Sequence, residues 1–337
     1  MTSSLSLLEE SASLLEASAA ASGTSQVCPA HASASHNERR RRIRPIEDAR
    51  VTANGIDFAY LEEGPAGGPL ALCLHGFPDH ARTYEALLGD LAEEGFHAVA
   101  PWMRGYHPTG LASDGNYQVA SLALDATALA DELAGDGPAV LVGHDWGAMA
   151  AYTAVAHAPQ RFGRLAVMAV PHAGALGQHI FDPAQLKRSW YQFFFQLPVS
   201  DAVMTMNDFA IIDKLWRDWS PGYEPDPDFM ADLRKTLAAP GTLPAALDYY
   251  RFVYGSKNPD PALADVQSAY LQPTPVPTLY LHGVDDGVMG AEIVVEDELR
   301  PHFPAGLELV MVPGTGHFLH LEEPDVVNHR IVTFLAT

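Results

Sequence analysis

The chain has 337 residues, 47% of them apolar, and a formal net charge of −22. That length holds one large α/β domain or two small ones, and the apolar share is that of an ordinary globular protein. The charge would repel nucleic acid and anionic membranes, so neither is expected as a partner; its plain reading is a solvated acidic surface. No run is long and apolar enough to span a membrane. The N-terminus lacks the basic start of a signal peptide, and Glu9, Glu10 and Glu16 interrupt its apolar residues. Cys28 falls in a tail-like stretch and Cys73 in an apolar run, so no disulfide is expected. That suits a reducing, cytoplasmic compartment.

Residues 1–45 read as a partly ordered extension. A short amphipathic helix is predicted around Leu5 to Glu16, followed by an Ala/Ser-rich stretch and the basic run Arg39-Arg40-Arg41-Arg42-Ile43-Arg44. If the helix docks, its expected partner is a groove on the core or on a second subunit of a homodimer. The core follows. Residues 50–61 form a hairpin around Asn54-Gly55. Residues 69–74 are a continuous apolar run, as in a buried parallel strand. A helix is predicted over 84–94, with Leu87, Leu88 and Leu91 on one face, then a strand over 97–100 and a helix over 119–134. Strands follow at 138–142 and 165–170. Alternating apolar strands and helices predict an α/β fold, a mostly parallel twisted sheet flanked by helices. The rhythm breaks over 172–272, where helical patterns, Pro/Gly breaks and dense aromatics indicate an inserted helical cap. Strands resume at 276–281 and 307–312, and a final helix covers 324–335. The core therefore comprises 46–171 and 273–337.

The chemistry concentrates where strands end, the position at which open α/β sheets place their sites. Gly143-His144-Asp145-Trp146-Gly147 lies between a strand and a helix, the context of a nucleophile elbow. Its central residue is Asp145, not Ser. A carboxylate there changes the chemistry from acyl transfer to attack on a saturated carbon. On its own the motif is weak, because buried turns often hold Asp for structural reasons. His75-Gly76-Phe77-Pro78 follows the strand 69–74. A main-chain N–H from this loop, with that of Trp146, forms a candidate oxyanion hole; the bland alternative is a Gly-Pro turn. Gly283-Val284-Asp285-Asp286 and Gly314-Thr315-Gly316-His317 follow the next two strands. They complete the order nucleophile, acid, base. Asp286 is preferred over Asp285 as the acid. A lone His is usually structural, and position singles out His317. No metal-ligand spacing is apparent, and no metal or organic cofactor is expected.

Taken together, these motifs with Met103-Arg104-Gly105-Tyr106-His107-Pro108 resemble the α/β-hydrolase superfamily, and within it the Asp-nucleophile epoxide hydrolases. The resemblance covers roughly residues 49–337. It implies two cap tyrosines that hold and protonate an epoxide oxygen. The segment 189–198 matches the first at Tyr191, and 247–251 matches the second at Tyr250, with Tyr249 as the alternative. It implies an ester formed on Asp145, water activated by His317 with Asp286, and an oxyanion held by the N–H groups of Phe77 and Trp146. His75, Pro78, Trp146 and Phe194 are the expected substrate contacts, and the expected partners are an apolar or aryl epoxide and water. The nearest alternative is a haloalkane or haloacid dehalogenase, which shares the Asp nucleophile but needs halide-binding donors instead of the tyrosine pair. A different class, a non-catalytic binding protein using the same pocket, is disfavoured because every triad member is present.

Overall fold

Asn54 and Gly55, with φ of 46° and 74°, close the hairpin between β1 (Arg50–Ala53) and β2 (Ile56–Glu63). Both need the left-handed region, which Asn and Gly enter at least cost. The computed structural model describes residues 49–135, 137–177 and 179–337. The extension 1–45, with its predicted helix, basic run and subunit contact, lies outside the described residues.

Six further strands follow: β3 (Leu70–Leu74), β4 (His97–Pro101), β5 (Ala139–His144), β6 (Phe162–Met168), β7 (Thr278–Gly283) and β8 (Leu307–Val312). The eight form one sheet in the order β1-β2-β4-β3-β5-β6-β7-β8. β1 and β2 pair antiparallel, and all pairings from β4 to β8 are parallel. β3, β4, β5 and β7 are buried along their whole length, which is why their sequences are continuous apolar runs rather than alternations. Several boundaries move from the sequence expectation, and two have a plain cause. β6 stops at Met168 because Ala169 turns to φ 68°, its N–H giving the last bond to β7 at the Leu281 carbonyl, 3.0 Å. β7 starts at Thr278 because Pro277 has no N–H to give to a neighbour.

The helices α1 (Glu85–Glu93), α2 (Val119–Leu133) and α3 (Trp146–His157) connect the first parallel strands. α1 turns Leu87, Leu88 and Leu91 inward, as its spacing predicts. α3 buries Ala148, Ala150, Ala151, Ala154 and Val155. Its small side chains let it lie close against β3, β5 and α2.

Between β6 and β7 the described chain is helical and contains no strand. It comprises α4 (Ala173–Leu176), α5 (Pro183–Arg188), α6 (Trp190–Phe194), α7 (Ser200–Trp219), α8 (Pro227–Ala238), α9 (Thr242–Val253) and α10 (Ala264–Ser268). α7 is interrupted at Met206 to Phe209, where three consecutive residues have positive φ. α8 starts where Asp226 accepts hydrogen bonds from the N–H groups of Asp228 and Phe229, an ordinary N-cap followed by proline. The insertion is tied to the sheet side by specific contacts. The Trp216 indole donates to the Pro78 carbonyl at 3.0 Å and stacks on Phe318 at 3.6 Å. Tyr249 donates to the Arg104 carbonyl at 2.8 Å, and Gln185 to that of Val288 at 2.8 Å.

Candidate active site

The turn after β5 sets the geometry. Asp145 has φ 51° and ψ −118°, a conformation costly for a non-glycine residue and typical of functional turns. It lifts the carboxylate out of the sheet between β5 and α3. The flanking glycines are required by two different approaches. A Cβ on Gly143 would lie 2.5 Å from the Gly147 carbonyl oxygen, while one on Gly147 would lie 1.9 Å from that of Leu74 on β3. Gly76 is equally constrained, since its Cβ would meet Asp145 itself at 2.3 Å.

The two carboxylate oxygens of Asp145 have different neighbours. Oδ1 accepts a hydrogen bond from the Phe77 N–H at 2.8 Å. Oδ2 lies 3.7 Å from His317 Nε2, beyond hydrogen-bond range. His317 Nδ1 faces Asp286 Oδ2 at 3.0 Å. Asp286 Oδ1 accepts from the N–H groups of Val288 (2.6 Å) and Met289 (3.0 Å). Asp286 is buried, whereas Asp285 is exposed on the other side of the turn. Burial alone would raise the Asp145 pKa, but His317 and the Phe77 N–H outweigh it and hold the carboxyl below the ordinary aspartate value. Burial likewise works against charge on His317. Asp286 and Asp145 overcome it and push its pKa up to about 10, so the resting ring carries a proton between two carboxylates.

Above this group the insertion contributes aromatic residues. Tyr250 packs edge-on against Trp146 at 4.8 Å and against Phe77 at 5.5 Å. Tyr191 lies beside it at 5.7 Å, between centroids. Burial and the Asp145 charge hold both phenols well above their usual pKa, with the Tyr191 neighbour adding to the effect on Tyr250. Both are therefore protonated donors at any working pH. The Tyr250 hydroxyl is buried without a hydrogen-bond partner among the described residues. Tyr249, its chain neighbour, is instead committed to the Arg104 carbonyl.

A cavity of about 250 Å³ opens over Asp145, Trp146 and Tyr250. Its remaining wall is mostly apolar, with Met149, Leu176, Ile180, Phe181, Leu271 and Met289 among the lining residues. Gln192 and Tyr254 are its other polar lining groups, together with Tyr270. Of the expected substrate contacts, Trp146 lines this cavity. His75 is fully buried beneath it, where Nε2 accepts from the Met103 N–H at 3.0 Å. Pro78 is occupied by the Trp216 contact. Phe194 is half-buried against Trp190 and Phe195, and it is Phe195 that reaches Phe77 at 5.4 Å and Tyr250 at 5.1 Å.

Two buried polar clusters were not found from sequence. Arg104 holds Asp125 through Nε (2.6 Å) and Nη2 (2.7 Å), and donates to the Asn116 carbonyl at 2.8 Å. Arg104 stands in a quoted motif, but nothing in the sequence links it to Asp125. Behind the elbow, Asp79, His144 and His320 each bring one ligand-type atom within 4.8 Å of the others. Among the described residues this is the group whose side chains could converge on a metal ion. Burial pushes the Asp79 carboxyl up to about 8 and lowers both histidines, so all three are neutral near pH 7.

Comparison with known proteins agrees with this architecture. A family model described as the alpha/beta hydrolase family matches residues 71–330. Epoxide hydrolase 3 of Xenopus tropicalis is 30% identical over 297 residues, covering 85% of this chain and 76% of that protein. Epoxide hydrolase 4 of Homo sapiens is 29% identical over 294 residues, covering 85% of this chain and 77% of its own length. Among solved structures, one of epoxide hydrolases found in metagenomes from hot environments is 27% identical, with a TM-score of 0.72 over 85% of this chain and 97% of that one.

Proposed function

The chain belongs to the alpha/beta hydrolase family and is epoxide hydrolase-like, and from that premise we propose that it opens an apolar or aryl epoxide to a vicinal diol through an ester on Asp145. The observation that carries the reading is the divided environment of that carboxylate. Oδ1 is held by a main-chain N–H, while Oδ2 faces His317 without a hydrogen bond, and Asp145 shares its cavity with Tyr250, whose hydroxyl is buried and unpaired among the described residues. Oδ2 attacks an epoxide carbon as the ring C–O bond breaks. The tyrosines receive the departing oxygen, and one gives it a proton. Ester formation removes the negative charge of Asp145. His317 then keeps only one of the two carboxylates that hold its proton, releases that proton to solvent, and can take one from water. The resulting hydroxide attacks the ester carbonyl, whose oxygen is held by the N–H groups of Phe77 and Trp146. The diol leaves with the His317 proton.

The helical segment 172–272 serves in this reading as the cap that selects substrate, and its mostly apolar lining supports an uncharged, lipophilic epoxide. The test is one turnover with excess enzyme in ¹⁸O water. Unlabelled diol, with the label in the peptide containing Asp145, is the expected result. Fully labelled diol with no label in the peptide means direct attack by water and overturns the covalent mechanism. Halide release from haloalkanes without diol from epoxides replaces the reading by a dehalogenase.

A further inference from the structure

Within the insertion, three polar side chains are hydrogen-bonded in series, from Tyr254 and Gln192 at the cavity wall to the buried Tyr191 beside Tyr250. Tyr254 donates its hydroxyl proton to Gln192 Oε1. Gln192 Nε2 donates to the Tyr191 hydroxyl oxygen at 3.0 Å. Gln192 is itself buried and is further tethered through its carbonyl, which accepts from Gln196 at 2.9 Å. Gln192 therefore accepts from Tyr254 and donates to Tyr191. Tyr191 thus has its oxygen engaged and its proton free. Among the described residues, Tyr250 has no donor within hydrogen-bond distance of its hydroxyl, the Trp146 indole facing it from farther off.

We propose, on the basis of the epoxide-opening reading above, that the line Tyr254–Gln192–Tyr191 makes Tyr191 the tyrosine that gives up its proton, with Gln192 as its positioning residue and Tyr250 as a hydrogen-bond donor that keeps its own. As Asp145 bonds to carbon and the ring C–O bond breaks, the Tyr191 O–H proton passes to the epoxide oxygen. The phenolate left behind sits in a buried site where it would otherwise be costly. The Gln192 N–H meets it there, and the Tyr254 hydroxyl polarises the amide. In the second half-reaction the attacking water gives one proton to His317, which passes it to the leaving alkoxide. Its other proton, left on the Asp145 carboxyl, restores Tyr191. His317 takes back from solvent the proton it released when the ester formed, so that epoxide and water are consumed, one diol is formed, and the enzyme returns to its starting state.

The test is a double-mutant cycle on the rate of ester formation, measured by rapid mixing, acid quench and intact-mass detection of the adduct. Gln192→Met should slow ester formation about 10- to 100-fold, the worth of one hydrogen bond to a forming anion, and leave ester breakdown unchanged. It should have no further effect in a Tyr191→Phe background and keep its full effect in Tyr250→Phe. Tyr254→Phe, which removes one oxygen and spares the packing, should give a smaller slowing with the same dependence on Tyr191. Equal effects of Gln192→Met in both tyrosine backgrounds would mean that Gln192 only packs, and would overturn the proposal. So would unchanged or faster ester formation, the result expected if the hydrogen bonds ran in the opposite sense and held the Tyr191 proton back. Wild-type enzyme that forms neither adduct nor diol from any epoxide overturns the functional reading itself, a distinguishable result.

Discussion

If the proposed mechanism holds, Asp286→Asn should separate its two half-reactions, and the structure sets how the new amide must sit. Asp286 Oδ1 accepts two main-chain N–H groups, from Val288 at 2.6 Å and Met289 at 3.0 Å. Turning an NH₂ toward them would leave two buried donors unpaired, at about 1–3 kcal/mol each. The introduced carbonyl therefore keeps the Oδ1 position, and the NH₂ faces His317 Nδ1 at the 3.0 Å separation now held by Oδ2. A donor there forces Nδ1 to be the bare nitrogen and puts the imidazole proton on Nε2. His317 then points a proton, not a lone pair, at the water it must activate. Inverting the tautomer of a base in this way lowers a rate by about 10⁴-fold, or roughly 5.4 kcal/mol at 1.36 kcal/mol per tenfold. Ester formation needs only the Asp145 anion, which the Nε2 proton still supports, so it should fall by less than about tenfold on the same scale. The assay mixes enzyme with limiting epoxide, quenches over time, and reads adduct by intact mass and diol by chromatography. The expected result is an adduct that forms and persists. Breakdown within tenfold of wild type, or formation falling in step with breakdown, would refute this account of Asp286.

Gly147→Ala puts a methyl 1.9 Å from the Leu74 carbonyl, and should cost at least about 3 kcal/mol by overpacking along with most activity; an unchanged unfolding midpoint would contradict the close approach of α3 and β3. Arg104→Met leaves the buried Asp125 carboxylate without its bidentate partner, and should cost about 3–5 kcal/mol in denaturant unfolding, where a loss under about 1 kcal/mol would show that water reaches the site. His179 bridges Asp182 and Glu298, and the Glu298 and Asp182 hydrogen bonds raise its pKa above the ordinary 6.5. Its contribution is therefore complete below about pH 6.5 and fades as pH rises through the raised value, so the thermal midpoint of wild type relative to His179→Gln should decline over that rise; a pH-independent difference would contradict the bridge.

The three groups that the structure brings together were readable from sequence because each stands in a loop directly after an apolar strand. Strand order and loop position are local signals, and together they mark Asp145, Asp286 and His317. Choices between chain neighbours were harder, because they depend on which way a turn or helix faces. Asp285 and Asp286 differ by one step in a turn, and burial separates them. Tyr249 and Tyr250 differ by about 100° around α9, and the Arg104 carbonyl takes one while Trp146 meets the other. The run Phe193-Phe194-Phe195 presents the same problem, and there the residue facing Tyr250 is Phe195, not the expected Phe194. The cavity wall was not readable at all. Met149, Leu176, Leu271 and Met289 come from four separate elements, and an apolar residue carries no mark of the surface it will share.

The insertion leaves the sheet after Met168 and returns at Thr278, on strands that are direct neighbours with Leu165 paired to Thr278 and Met168 to Leu281. Its two stems thus sit on neighbouring strands about 4.8 Å apart but offset by three residues along them, because the strands run parallel, and ladder bonds that do not depend on what lies between them hold that offset. Tyr191, Gln192, Tyr250, Tyr254, Phe181 and Leu271 all hang from that single pair of stems, whereas Asp145, Asp286 and His317 stand on the sheet side. In the proposed reaction, the part that chooses a molecule and the part that breaks its bond are therefore separate cassettes on one chain. An insertion of different length or sequence could be grafted between Met168 and Thr278 without changing the strand register, giving a new choice of substrate served by the same three reacting groups.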